Sequence, residues 1–224
     1  AVNRRASSRA APYAFVIPAQ QKDPWTQARL LETLRLGDVE IHRAAADFVA
    51  QERRFAAGSQ VVLMAQPASG VAKAVLEPQS YPDLRPYPGA PPQRPYDVTA
   101  HTLPLLMGVE VVEAKQHFDA ELVPQAAGFL VPGSVRGRGR FLALGHQTGD
   151  LIALGRLLRE GVGVRWATMA FFEQGRTFPA GTLLVPRSAR PRLETLAREL
   201  GVSAQGVDGR PASQCVSRRS LADD

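Results

Sequence analysis

Residues 31–62 and 154–185 align without a gap at a constant offset of 123. They share eleven of thirty-two positions, among them Leu31/Leu154, Leu34/Leu157, Val39/Val162, Phe48/Phe171, Gln51/Gln174, Arg53/Arg176, Phe55/Phe178 and Gly58/Gly181. A chain that uses one unit twice must fold as two like halves, so this repeat restricts the architecture more than any other feature. Two copies are too few for a solenoid and imply a pseudo-symmetric pair.

The unit can be read from its punctuation. In copy one the apolar run 13–17 precedes Asp23-Pro24, after which Ala28, Leu31 and Leu34 recur at helical spacing up to Gly37. This predicts a strand, a loop and a helix, with Asp23 as N-cap, Pro24 at the first helical position and Gly37 in the left-handed C-terminal position. Val39 and Ile41 alternate with Glu40 and His42 as a strand would. Phe48 and Phe55 then bracket a polar hairpin-like stretch, and residues 61–64 read as a buried strand. Copy two repeats the order through strand 141–144, helix 151–159, strand 162–166, the Phe171/Phe178 bracket and strand 183–185. Its second helix is opened by Pro191, striped by Leu193, Leu196, Ala197 and Leu200, and closed by Gly201.

Each copy places a helix between two apolar runs, so the expected fold is α/β, with two β-α-β repeats sharing one mainly parallel sheet flanked by helices. The divisions are a leading segment 1–12, repeat 1 over 13–118, a joint 119–140, repeat 2 over 141–207 and a disordered tail 208–224. Leu31, Leu34, Val39, Ile41, Phe55, Val62, Leu154, Leu157, Val162, Val164, Phe178 and Val185 are the expected core.

Toward the end of the repeat the offset falls from 123 to 93, where Met107-Gly108-Val109 answers Leu200-Gly201-Val202. Copy one therefore carries about thirty extra residues between its second helix and last strand. Residues 67–105 hold nine of the eighteen prolines and three of the four tyrosines, Tyr81, Tyr87 and Tyr96. Proline lacks the N–H that helices and ladders need, so residues 77–104 are expected to form an extended strap. Its tyrosines are candidate anchors, on the chain's own sheet or on a neighbouring domain.

Hydrophobic residues make up 45% of the 224, enough for a substantial core, yet no apolar stretch approaches the ~18 residues of a membrane span. Ala1 opens the chain without an initiator methionine, as in a processed product or a piece of a longer protein whose signal would lie upstream. The net charge of +6 sits mainly at the edges: Arg4, Arg5 and Arg9, the joint residues Arg136, Arg138 and Arg140, and Arg218 and Arg219. A nucleic-acid site needs a basic face interleaved with stacking aromatics, and this distribution argues against nucleic acid as a partner. The RGRGR joint precedes its strand, whereas a dinucleotide loop follows one.

Catalytic patterns are sparse. His42, His101, His117 and His146 are in none of the spacings HxxE, HxxxH or HExxH, and lone Cys215 can form neither an internal disulfide nor a compact zinc site. No GxSxG elbow or GxxxxGK loop occurs. What remains is geometrical: the loops 20–23 and 145–148 follow equivalent strands and lead into helix N-termini, where exposed N–H groups can hold an anion. Gln20, Lys22, Asp23, His146 and Thr148 are the ligand-binding candidates, for a small molecule or a peptide; the same polar residues also serve as caps.

The strings PYAFVIPAQQKDP (12–24), GDVEIHRA (37–44), FAAGSQVVLMAQP (55–67), LEPQSYPDLRPYPGAPPQRPYDVTAHTLPLLMGVEV (76–111) and GRTFPAGTLLV (175–185) resemble one known region. It is the region that follows the catalytic domain in large bacterial zinc carboxypeptidase-like proteins of the M14 peptidase family. The likeness covers about residues 3–201, and YPDLRPYPGAPPQRPYDV is its most specific part. The resemblance implies an amidotransferase-like or flavodoxin-like general type of fold. It also implies export, a hydrolase as parent, and as partner the catalytic domain of the same or a neighbouring polypeptide. The family's zinc ligands and catalytic glutamate have no counterpart here, so zinc is implied only for that parent domain and none for this chain. The function implied is a non-catalytic accessory domain, structural or substrate-presenting, and the alternative is a stand-alone binding module using loops 20–23 and 145–148.

Overall fold

The computed structural model describes residues 12–78, 83–93, 102–208 and 213–215. The chain packs as two units, one drawing on residues up to Lys22 and Gln27–Phe129, the other on Asp23–Thr26 and the residues from Leu130 onward.

Unit 1 runs β1 (Ala14–Ile17), α1 (Pro24–Leu36), β2 (His42–Ala44), a hairpin of β3 (Phe48–Ala50) and β4 (Arg53–Phe55), β5 (Gln60–Leu63), α2 (Ser69–Leu76), the short α3 (Leu103–Met107), β6 (Val112–Ala114) and β7 (Leu122–Pro124). Its sheet has the order β6-β1-β5-β2-β7, and every neighbouring pair is antiparallel. Unit 2 runs β8 (Val135–Arg136), β9 (Phe141–Leu144), α4 (Thr148–Arg159), β10 (Arg165–Ala167), a hairpin of β11 (Phe171–Glu173) and β12 (Arg176–Phe178), β13 (Leu183–Pro186), α5 (Arg190–Leu200), β14 (Ala204–Val207) and β15 (Ser213–Cys215). Its sheet, β15-β10-β13-β9-β14-β8, matches that of unit 1 strand for strand and adds β8 at one edge. Register is kept too: His42 faces Val61 as Arg165 faces Leu184, at the same offset of 123.

This corrects the expected fold class. Among the described residues there are two main sheets, not one, each accompanied by a separate two-stranded hairpin, and the described pairs are antiparallel except β14–β8. The amidotransferase-like and flavodoxin-like types, which are built on parallel strands, do not apply. The reason lies in the second connection. β1 and β2 do run the same way around α1, but the link from β2 to β5 is a hairpin without a helical crossover, so β5 returns antiparallel and pairs with both. β6 likewise lies beyond β1 after a helical return. Each unit is thus a pair of interlocked split β-α-β elements, the ferredoxin-like arrangement. Apolar periodicity identifies strands and helices, but not which strand fills the gap of a split pair.

One face of each sheet is apolar against helices and the other against its hairpin. In unit 2, Leu142, Leu144, Leu183 and Val185 pack with Leu157, Leu193, Leu196 and Leu200, while Ala143, Leu184 and Val207 pack with Phe178 and Phe171. In unit 1 the hairpin side gathers Ala14, Val16 and Val61 with Phe48, Phe55 and Phe118. The expected core residues are buried, except that Leu154 and Val162 are only partly so. Each hairpin stacks its phenylalanines, Phe48 on Phe55 at 5.2 Å and Phe171 on Phe178 at 4.9 Å.

Both hairpin turns need two left-handed residues: φ is 50° and 60° at Gln51 and Glu52, and 51° and 74° at Gln174 and Gly175. Only copy two supplies glycine. Replacing Glu52 with glycine should therefore raise stability by about 0.5 kcal/mol, net of glycine's greater freedom when unfolded. A urea midpoint that falls would assign Glu52 a stabilising contact that outweighs its backbone strain.

Helix ends follow the sequence reading at Asp23 and Gly201, while α4 begins at Thr148, three residues before the expected 151. Asp23 Oδ1 accepts the N–H groups of Trp25 and Thr26, and Gly201 ends α5 at φ 70°. After α1, however, Asp38 is the left-handed residue, at φ 58°, and a Cβ on Gly37 would lie 2.8 Å from Val71 Cγ1, so a larger residue there would displace the Val71 side chain.

The joint 119–140 contributes β7 and β8 to the two sheets. Arg190 donates to the carbonyls of Val135 and Gly137, and the Arg140 N–H donates to Asp208. Residues 213–215, within the segment expected to be a disordered tail, pair with β10. The strap is tied at its base, where Thr102 Oγ1 donates to the Glu77 carbonyl. Its described part is not straight: the Gln93 N–H reaches the Leu84 carbonyl at 2.7 Å and Arg85 holds the Ala90 carbonyl, so the chain turns back on itself. Tyr87 at its tip is 65% exposed. Tyr81 and Tyr96 lie outside the described residues. Among the described residues no helix is long and apolar enough to cross a membrane.

Candidate functional site

The five residues singled out at the strand–helix loops divide into two groups. Gln20 and Lys22 are exposed on the loop after β1. Asp23, His146 and Thr148 come together in unit 2. There Asp23 Oδ1 caps the first turn of α1 while its Oδ2 accepts the Thr148 N–H at 2.9 Å, so one carboxylate serves two helix starts. Asp150, absent from the sequence reading, is 5% exposed and accepts the Gln147 N–H at 3.1 Å. The N–H groups expected to hold an external anion are therefore already turned toward the chain's own carboxylates.

Burial, above all, pushes the Asp150 carboxyl up from the ordinary aspartate range; the Gln147 N–H opposes this, the Asp23 carboxylate adds to it and His146 opposes it. The folded chain then holds this proton more tightly than the unfolded one. The associated stabilisation is full below the unfolded value, near 3.8, and is lost as pH rises through the higher folded-state value. Asp150→Asn keeps an oxygen for the Gln147 N–H but cannot ionise. Its stability relative to the parent should accordingly climb across that window and then level off. Urea midpoints at stepped pH check this, and a constant offset throughout would mean that burial does not disfavour the Asp150 charge.

A better-formed site lies on the hairpin face of unit 2. It is a pocket of about 350 Å³ lined by Ala143 and Leu144 of β9, by Arg176, Thr177 and Phe178 of β12, and by Ser203–Gln205 with Ser134 and Arg136. The sequence dictates most of this. Alternation along β9 turns Ala143 toward the hairpin, and the small side chain leaves room above the sheet. The Arg176 guanidinium lies 5.4 Å from the Phe178 ring centre, a cation–π contact that limits where it can swing. Arg136 Nε donates to Ser134 Oγ at 3.1 Å, and Gln205 is held through Gln174 Oε1 at 2.9 Å. Gly145 also lines the pocket, so loop 145–148 borders the site through its first residue.

Chemically this lining donates. It holds two guanidinium groups, each a donor-only fork, and the hydroxyls of Ser134, Ser203 and Thr177 with the Gln205 amide add further donors. Such a set binds and orients an anion. In the sequence Arg136 stands out only as a charge of the joint and Arg176 only as a repeat match; what brings them together is β8, whose two residues carry no periodicity to find it by. His117 lies elsewhere, in unit 1, 5.1 Å from the Tyr13 ring. Among the described residues no group of three or more His, Cys, Asp or Glu side chains is placed to hold a metal.

No protein-family model matches the chain, and neither a curated protein nor a solved structure matches it.

Proposed function

We propose that this chain is a non-catalytic accessory region of an M14 zinc carboxypeptidase-like protein, structural or substrate-presenting, working beside the catalytic domain of the same or a neighbouring exported polypeptide. The observation that supports this reading is the strap. It contains the most specific of the resembling strings, it is an addition to copy one alone, and its described part spends internal hydrogen bonds on a loop that turns Leu84 and Tyr87 outward. A pre-ordered loop with an exposed aromatic tip is suited to docking, because little further ordering is needed and a tyrosine ring supplies large contact area. Zinc would belong to the partner domain. The substitutions Tyr87→Ala and Leu84→Ala remove exposed side chains, so they should leave the melting temperature unchanged. They should weaken association with the HxxE-bearing polypeptide encoded in frame or adjacent by about tenfold or more. Undiminished association, or the lack of any such polypeptide, overturns the reading.

A second reading, a stand-alone small-molecule or peptide binding module, is favoured by one observation. The pocket of unit 2 is bordered by Gly145 of loop 145–148 and presents donors toward its interior.

A further inference from the structure

The two units provide a comparison within one molecule. In unit 1, Arg53 of β4 lies over the Phe55 ring at 5.2 Å and makes an ion pair with Glu110. Gln21, on the loop after β1, clamps the Glu110 backbone from both sides: Oε1 accepts its N–H at 2.9 Å and Nε2 donates to its carbonyl at 3.0 Å. A guanidinium, an aromatic ring and a carboxylate thus form one closed cluster.

In unit 2 the arginine and the ring recur as Arg176 and Phe178, at the repeat offset of 123. The carboxylate does not. Val109-Glu110 corresponds to Val202-Ser203 at the offset of 93, so Ser203 stands where unit 1 has Glu110. The loop between first strand and first helix is also shorter, Gly145–Gln147 against Pro18–Asp23, and no counterpart of Gln21 covers the position. The space so left is the pocket, and Arg176 and Ser203 both line it. Unit 2 adds a second guanidinium there, since β8 brings Arg136, and among the described residues β8 has no equivalent in unit 1. Among the described residues neither Arg136 nor Arg176 has a carboxylate partner.

We propose that unit 2 binds an external carboxylate between Arg176 and Arg136, in the place that Glu110 occupies beside Arg53 in unit 1. The carboxylate accepts charge-assisted hydrogen bonds from the two guanidinium groups, with the hydroxyls of Ser203, Ser134 and Thr177 available to its remaining lone pairs. The volume of about 350 Å³ leaves room for a substituent the size of one or two amino-acid residues. A carboxylate fits better than a phosphate, because the group that fills this cluster in unit 1 is itself a carboxylate. The inference stands on the comparison between the units, whatever polypeptide the chain works beside.

The test is calorimetric titration of the full chain, in low-salt buffer, with acetyl-Ala-Ala bearing a free C-terminus, with its C-terminal amide, and with acetate and succinate. The free acid should bind with one-to-one stoichiometry and the amide about tenfold more weakly or not at all. Ser203→Glu should place an internal carboxylate beside Arg176 and reduce binding by about tenfold or more, with a melting temperature equal to or above that of the parent. Arg136→Gln should weaken binding while leaving the fold intact, because its side chain is exposed. Acetate or succinate binding as tightly as the peptide would assign the site to small carboxylates; preference for the peptide would assign it to chain termini. Equal binding of acid and amide, undiminished binding by Ser203→Glu, or no heat with any carboxylate up to about 10 mM would overturn the proposal.

Discussion

Alanine in place of Leu157 is expected to lower the unfolding free energy by about 2–5 kcal/mol, and alanine in place of Leu34 by a similar amount. The two leucines occupy the same position of the repeat, 123 residues apart, each on the inward face of its unit's first helix, with exposures of 0% and 1%. Leu157 packs among Leu142, Leu144, Val164 and Leu193, a layer closed by two helices and the sheet, so the cavity left by truncation has little means of collapsing. The cost therefore combines the lost transfer free energy of the removed carbons with that of an unfilled space. Denaturant unfolding of the two single variants measures both numbers. A loss below about 1 kcal/mol at either site would mean that the helix does not bury that face, and would separate the copies that the sequence unites.

Alanine at Gly139 should also be costly, by about 1–3 kcal/mol, whereas alanine at Gly155 should stabilise by about 0.5–1 kcal/mol. The substitution is the same; the surroundings decide its sign. A Cβ on Gly139 would meet the backbone of Val207 at 2.4 Å from its nitrogen and 2.5 Å from its oxygen, and backbone cannot step aside as a flexible side chain can. Gly155 sits in α4 with nothing within 4 Å of a new Cβ, so alanine there only removes the entropic penalty of glycine in a helix. Because Gly139 holds the joint against β14, its variant should in addition loosen β8 and with it Arg136. Hydrogen exchange at the Val135 and Arg136 amides would report that loosening. Unchanged protection there would mean that the β14 pairing and Arg190 hold β8 without help from the Gly139 approach.

How far the sequence led can be judged from particular residues. Doubling, element order and the start of α1 were legible because they are local or periodic: Asp23 before Pro24, Phe48 and Phe55 seven apart and repeated 123 residues later. Strand order was not, since β5 between β1 and β2 is decided by a hairpin return and by tertiary pairing that leave no period in the chain. The joint misled for a related reason. RGRGR has the composition of a solvated linker, yet Gly139 is required by close backbone approach, Gly137 has φ of 71°, and Arg136 lies in a two-residue strand. The pocket was in principle readable. Aligning Glu110 with Ser203 at the offset of 93 reveals an arginine that lost its carboxylate, but only once Arg53 and Glu110 are known to touch.

Since the strap leaves and returns at the Glu77–Thr102 contact, its length enters the folding of unit 1 through the closures that span it, β2 onto β7 and, the longer of the two, β1 onto β6. That closure spans roughly a hundred residues, against roughly sixty for β9 onto β14, a difference that ideal-chain statistics value at about 0.5 kcal/mol. The equilibrium barely registers it. Contact order does, and the copy with the longer excursion is the one whose sheet must search further before the pairing of β1 with β6 is rewarded. Topology and register are shared by the two copies while the span of this closure differs, which makes the chain an internal standard for what loop length does to the speed of assembling a split β-α-β sheet.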